Sequence, residues 1–495
     1  MPIMDEPTSL DPQIADSNSE KLVAANCYEG LVRIMADGTI GKGVATDWNI
    51  SDDGLTYTFK LRNNSHWAMF SGHKAVLGEN YEDTFDITVK AEDFKFGIER
   101  TLSAQTGSAD APLFSAVKSI STPDDFTIVF NLSYADDNFL YALTNPGAMP
   151  CDEEFFNLTN GKYGLDAKYL LCNGPFHVSK WTEKTSVKLV KNNEYNGESS
   201  VSPSSVTFYI NNDDSEVADK MNSVTYDVAF LSSSQFSSIE NKKDLNSVAV
   251  QNVTYSFIFN QNDNNYRNKN MRLAFCRSCD TSSLFDSQSD ISKADGIVPP
   301  SCKIGGEDYR NGNAAELLSY DETLAKKNFN DALLELGSSS VETTILCTEQ
   351  YEPFVKQMVQ KLQKTLGVKF VSTVKVVSES DLEAAVNDGN YSVAFYPFKA
   401  KSSFAGEIIE GFDQNNIFGY ESDVLSQKIR NIKNNSGSLE GERSAVADAE
   451  NYLVSEAVIM PVFYENSYFV TSKKTSGIYF YSSADNVCFI NAKKS

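Results

Sequence analysis

Apolar and polar residues alternate with period two over residues 55–61. Leu55, Tyr57, Phe59 and Leu61 fall on one side, and Thr56, Thr58 and Lys60 on the other. That pattern predicts a half-buried strand, opened by the turn Ser51-Asp52-Asp53-Gly54. Apolar or alternating runs predict further strands at 31–34 (closed by the turn Asp37-Gly38), 126–132, 186–190, 206–210, 368–377, 391–395 and 461–464. Over 90–103 the spacing changes: Phe94, Gly97, Ile98, Thr101 and Leu102 recur three and four apart, as one face of a helix does. Helices are predicted in the same way at 18–29, 271–279, 321–336, 353–366, 422–433 and 442–457.

The two kinds of element mix irregularly at first and alternate more regularly after about residue 320. This predicts α/β lobes, at least one of them built on βα units. No fixed-period repeat argues for a solenoid or propeller. The most linker-like stretches, 197–205 and 434–441, are short enough to be surface loops. At 495 residues the chain is long enough for about three compact units.

Composition narrows the function classes. The balance of 43 Lys and Arg against 67 Asp and Glu gives a net charge of −24 without a basic cluster, so nucleic acid is not expected as a partner. The longest apolar runs fall far short of the ~18 residues that a membrane-spanning helix needs. Eight cysteines include one C-x-x-C, Cys276-Arg277-Ser278-Cys279, with no second pair or matched histidines among the three present, His66, His73 and His177. No metal site is expected, and the cysteines read as structural. Motifs for a nucleophile elbow, a zinc protease, a phosphate loop or a dinucleotide fold lack a convincing context, so neither catalysis nor a cofactor is expected. The amino terminus lacks a signal peptide, which reads either as a cytoplasmic protein or as a chain whose export signal has been removed.

An ordered series of short motifs resembles the extracellular solute-binding proteins of peptide and nickel ABC importers, family 5. The series begins with Glu6-Pro7-Thr8-Ser9-Leu10-Asp11-Pro12 and Tyr28-Glu29-Gly30-Leu31-Val32. Its most specific stretch is Ala45-Thr46-Asp47-Trp48, followed by Ser51-Asp52-Asp53-Gly54-Leu55-Thr56-Tyr57-Thr58-Phe59-Lys60-Leu61-Arg62. It continues through Val89-Lys90-Ala91-Glu92-Asp93-Phe94, Asn173-Gly174-Pro175-Phe176, Trp181, Asn192-Asn193-Glu194-Tyr195, Met271-Arg272-Leu273-Ala274 and Ile297-Val298-Pro299-Pro300.

The resemblance implies an α/β, two-lobed periplasmic-binding-protein-like clam-shell of type II with two hinge strands. Lobe I would comprise 1–43, 149–254 and 464–495, with 44–148 inserted as an extra subdomain, and lobe II would comprise 255–463. The implied function is capture of an oligopeptide between the lobes and delivery to an ABC permease in the membrane, without chemistry, by a monomer held outside the cytoplasm on a lipid anchor. The alternative is the same role for a non-peptide or anionic solute, such as a sugar, an amino-acid derivative or a metal chelate. Nickel suits a chain with three histidines poorly.

The resemblance also implies where the ligand would be held. Glu29 lies at a turn the family places at the cleft edge, although a solvated turn carboxylate is an equal reading. Tyr396 and Phe398 would offer side chains and main chain to an extended ligand, against plain core packing. Tyr464 would face the ligand beside the second hinge, or simply pack there. Peptide binders of the family carry an acidic residue in the stretch corresponding to 394–404, which pairs with the peptide's amino group. This chain has none there, and Lys399 and Lys401 stand nearby instead, read either as surface lysines or as partners of an anionic group on the ligand. A free amino terminus facing those lysines would be repelled, with Glu407 or Asp413 as other sources of negative charge. Trp48, Trp67 and Trp181 are expected in cores, and 68–86, with His73 and Asp83, as an inserted surface loop.

Overall fold

The computed structural model describes residues 1–35, 39–136, 138–197, 200–281, 285, 290–399, 404–413, 416–435, 438–481 and 486–495. The turn expected at Asp37-Gly38 and the expected site residue Lys401 lie outside these residues. The chain divides into two compact units, Met1–Ala249 with Tyr468–Ser495, and Val250–Ser467. It passes from one to the other within two long strands, Leu245–Phe259 and Ile459–Ser472.

The first unit holds two four-stranded sheets. In one, the period-two strand forms as Thr56–Leu61, with Tyr57, Phe59 and Leu61 buried, between Ala45–Ile50 and Thr127–Leu132; Val117–Asp124 completes it. The helix Ala91–Leu102 buries Phe94, Gly97, Ile98 and Thr101 of the stripe that its spacing marks, but Leu102, its last residue, is exposed. Gly97 has no room for a side chain: a Cβ there would lie 2.3 Å from the Met149 carbonyl oxygen. The other sheet runs in the order Pro2–Ile3, Ser205–Ile210, Ser186–Lys191, Phe176–Thr182.

Two expectations for this unit need correction. Of the three tryptophans only Trp67 is fully buried. Trp48 and Trp181 are half-buried, the latter because its indole N–H donates to Glu6 Oε1 at 2.8 Å, near the protein surface. The stretch 68–86 is not simply a surface loop. It forms the short helices Ser71–His73, Lys74–Leu77 and Tyr81–Thr84, and it buries His73 and Tyr81 while leaving Asp83 exposed. His73 sits between the rings of Phe70 and Phe155, with Nε2 3.1 Å from the Leu170 carbonyl oxygen. Burial pushes its pKa down to about 4.

In the second unit, helices cover both faces of one sheet. Val341–Cys347 pairs in parallel with Phe370–Val376 on one side and with Val393–Lys399 on the other. Leu245–Phe259 then pairs antiparallel to Val393–Lys399, and Ile459–Ser472 lies beyond it. Alternation along these strands sorts the core. Phe257, Phe259, Val393 and Phe395 meet the helices Lys269–Ser278, Glu322–Leu336 and Glu352–Leu366. Ile258 and Ala394 meet Glu379–Asn387, Asp423–Asn434 and Leu439–Ser455 on the opposite face. A side-chain period of two sends neighbours on a strand to opposite faces, so a strand covered on both sides reads as an apolar run.

Candidate functional site

Because the three parallel strands of the second unit run the same way, their carboxyl ends form one edge. The loops leaving such ends are where open α/β sheets hold ligands, since each strand delivers a loop and a following helix start to the same rim. A depression of about 560 Å³ lies there, lined by 348–350 after the first strand and by 376–379 and Asp381 after the second. Ser378 caps the helix Glu379–Asn387 by accepting from the Asp381 amide at 3.1 Å, which places Glu379 and Asp381 in its first turn.

Next to this depression an aromatic cluster comes to the edge. The Tyr255 ring packs on Tyr351, centroids 4.4 Å apart, and on Phe463, 5.1 Å apart, while Phe395 stacks on Tyr255 from the neighbouring strand. Tyr351 donates its hydroxyl to Glu465 Oε1 at 2.5 Å. Burial raises the Glu465 pKa, and the charge of Glu379 adds to that; the Tyr351 hydrogen bond and the nearby Lys399 act against it. The edge therefore brings together aromatic rings, a depression of mixed polarity and carboxylates at Glu379 and Glu465, with Lys399 near the latter.

The expected residues fall as follows. Tyr396, Phe398 and Lys399 are on one strand, opposite Ser256, Thr254 and Val253. Tyr396 and Phe398 share a face, their rings 5.8 Å apart, and Phe398 stacks on Phe412 at 5.8 Å. Both are half-buried, and Lys399 is exposed at the strand end. Tyr464 is in the same unit but is buried. Its hydroxyl accepts from the Asp295 amide at 3.1 Å and lies 3.4 Å from the carbonyls of Gly296 and Val298. Burial pushes its pKa up to about 12.

Glu29 belongs to the first unit, in the turn after the helix Asn18–Cys27. Its carboxylate is buried and ion-paired with Arg62, and it accepts from the Tyr195 hydroxyl at 3.1 Å. Its main chain is held on both sides by Asn173. The motif residues Glu29, Arg62, Asn173 and Tyr195 thus form one buried cluster.

Sequence reasoning passed over Tyr255, Gln350, Tyr351, Glu379 and Glu465. The signal that could have found them is positional. Gln350 and Tyr351 directly follow a strand, Val341–Cys347, that the pattern left unread, and Glu379 follows the strand Phe370–Val376. Glu465 lies inside Ile459–Ser472, which runs well past the expected 461–464.

Against this geometry, comparison with known proteins is direct. A sequence model of the bacterial extracellular solute-binding proteins, family 5, matches residues 39–418. The chain is 24% identical to the dipeptide-binding protein DppE of Bacillus subtilis over 496 aligned residues, 96% of this chain and 88% of that protein. Its fold is similar to that of a dipeptide-binding protein from Pseudoalteromonas solved with Met-Leu, with a TM-score of 0.79, 17% identity, and 100% and 99% of the two chains covered. It is also similar to the substrate-binding domain of an oligopeptide ABC transporter from Bacillus anthracis, with a TM-score of 0.77, 19% identity, and 100% and 98% covered. The expected α/β type II solute-binding fold is therefore present. Among the described residues no helix is long and apolar enough to cross a membrane, and no group of three or more His, Cys, Asp or Glu is placed to hold a metal. The chain belongs to the bacterial extracellular solute-binding proteins, family 5.

Proposed function

We propose that the protein captures a short peptide and passes it to the permease of an ABC importer, acting outside the cytoplasm as a monomer on a lipid anchor. The observation that carries this reading is a full-length likeness to a dipeptide-binding protein, joined to a ligand-competent strand edge rather than to a catalytic constellation. An extended peptide needs main-chain partners and room for varied side chains. In this reading the main chain of the strand end 396–399, on the side away from Leu245–Phe259, supplies the first, and the depression beyond Gln350 supplies the second. Half-buried Tyr255 offers an aromatic face, and Tyr351, itself buried, holds the Glu465 carboxylate. Glu379 and Glu465 offer negative charge to a basic group of the peptide, in place of the acid that the stretch 394–404 lacks. Glu29, buried on Arg62, supports the turn it occupies, and Tyr464 holds its strand against 295–298.

The test is native mass spectrometry of freshly purified protein, followed by denaturing extraction and sequencing of what is released. A spread of added masses resolving into short peptides is the expected result. Tight binding of a sugar or metal chelate, with no peptide retained or bound in titration, would overturn the proposal. Glu465→Gln is expected to weaken peptides with a basic first residue more than neutral-capped ones.

A further inference from the structure

Two cysteines remote in sequence meet in the core of the first unit. Cys27 ends the helix Asn18–Cys27, and Cys172 precedes the strand Phe176–Thr182. Both are buried free thiols, at 0% and 1% exposure, and Cys172 lies close enough to Cys27 to add to the burial that raises its pKa. The two backbones are fastened side by side. The Gly174 amide donates to the Cys27 carbonyl at 2.9 Å, and the Asn173 side chain donates to the Glu29 carbonyl at 2.8 Å and accepts from the Glu29 amide at 3.0 Å. On the far side the Cys172 carbonyl accepts from the Ala68 amide at 2.7 Å. Gly174 is required for this approach: a Cβ there would lie 2.6 Å from the Cys27 carbonyl carbon and the Tyr28 nitrogen. A disulfide spans α-carbons only about 4.4–6.8 Å apart, so a pair of this kind needs segments fastened side by side as these are.

We propose that Cys27 and Cys172 are joined as a disulfide when the chain folds in oxidising surroundings. The chemistry balances with a small-molecule disulfide such as glutathione disulfide as the oxidant. The thiolate of one cysteine attacks its S–S bond and releases one glutathione thiolate. The second cysteine's thiolate then attacks the resulting mixed disulfide and releases the other. Two protein thiols lose two protons and two electrons, and the glutathione pair gains them. Once the unit has closed, burial holds the Cys27 thiol far above its ordinary range and keeps oxidant out, so the exchange belongs to the folding chain.

Other thiols are poorly placed to compete. Cys151 accepts a hydrogen bond from Arg100 Nη1 at 3.5 Å. Cys276 and Cys279 sit at the end of a helix in the other unit.

The experiment refolds the full chain from denaturant with reduced glutathione, glutathione disulfide and a disulfide isomerase. It then alkylates under denaturing conditions and maps peptides without reduction. The expected result is a linked pair containing Cys27 and Cys172, two hydrogens lighter than the separate peptides, with six labelled thiols rather than the eight of the reduced chain. The oxidised protein should melt higher than the same sample after reduction. That difference should vanish in Cys172→Ser and persist in Cys276→Ser. Eight labelled thiols in correctly folded protein, or a link involving Cys151 or the C-x-x-C pair, would overturn the proposal. The wild-type map decides even where a serine variant fails to fold.

Discussion

Glu450 offers the sharpest test of what holds the second unit together. Its side chain is almost fully buried. It accepts from the amides of Ile297 at 2.7 Å and Val298 at 2.9 Å, from the Tyr309 hydroxyl at 3.0 Å and from Arg310 Nη1 at 2.9 Å, with a second, closer contact to Nη2. Arg310 is itself only 9% exposed and also donates to the Val298 carbonyl at 2.7 Å. Glu450→Ala removes the only carboxylate that ion-pairs with this guanidinium among the described residues, and it strands two amides and a phenol. Breaking one side of a buried pair costs about 3–5 kcal/mol, because the remaining charge has neither bulk water nor a counter-ion.

For a unit of this size each kcal/mol moves the melting temperature by about 2–4 °C, so a drop of roughly 6–20 °C is expected. All three tryptophans lie in the other unit, so far-UV circular dichroism is the readout rather than indole fluorescence. Hydrogen exchange should locate the loss at the Ile297 and Val298 amides. The double variant Glu450→Met with Arg310→Met should recover part of the stability, since an apolar pair leaves no orphan charge. A Glu450→Ala melting temperature within about 2 °C of wild type, with those two amides still protected, would refute the reasoning.

Two further outcomes can be checked by unfolding. His73 is held neutral with a pKa of about 4, against 6.5 when unhindered, so between those values the unfolded chain binds more protons and stability rises with pH. Falling from pH 7 to 4 should cost about 3 kcal/mol through this group, and urea titrations of His73→Phe should show a flatter pH slope. Gly97→Ala sets two effects against each other. Alanine is the better helix former by about 1 kcal/mol, but its methyl group would meet the Met149 carbonyl oxygen at 2.3 Å. We expect overpacking to win, with a net loss of about 1–2 kcal/mol in the urea midpoint; a gain in stability would show that the 147–149 segment yields freely.

Much of the fold was legible because its rules are local. Alternation set the strand Thr56–Leu61, and three-and-four spacing set the helix Ala91–Leu102; both formed where the pattern put them, within a residue or two. The family was legible too, as many weak motifs in order. The structure gives those motifs physical roles: Glu29, Arg62, Asn173 and Tyr195 close one buried cluster, and Arg272 spends its guanidinium on the carbonyls of Tyr266, Arg267, Glu456 and Ala457.

What the chain alone left open depends on who faces whom. Nothing local distinguishes Trp67, sealed in the core, from Trp181, whose indole reaches Glu6 from 175 positions away. Nothing near Glu465 announces that Tyr351 will donate to it, or that a parallel sheet will gather Gln350, Glu379 and Lys399 at the same edge. Propensity and periodicity are read from neighbours in sequence, whereas burial, ion pairing and a shared strand edge are set by partners brought together only when the sheet assembles. The sequence by itself therefore determined many of the elements, though not Val341–Cys347, and the family. The tertiary structure decided which carboxylates are locked into the scaffold, as Glu29 and Glu450 are, and which are gathered at the strand edge, as Glu379 and Glu465 are.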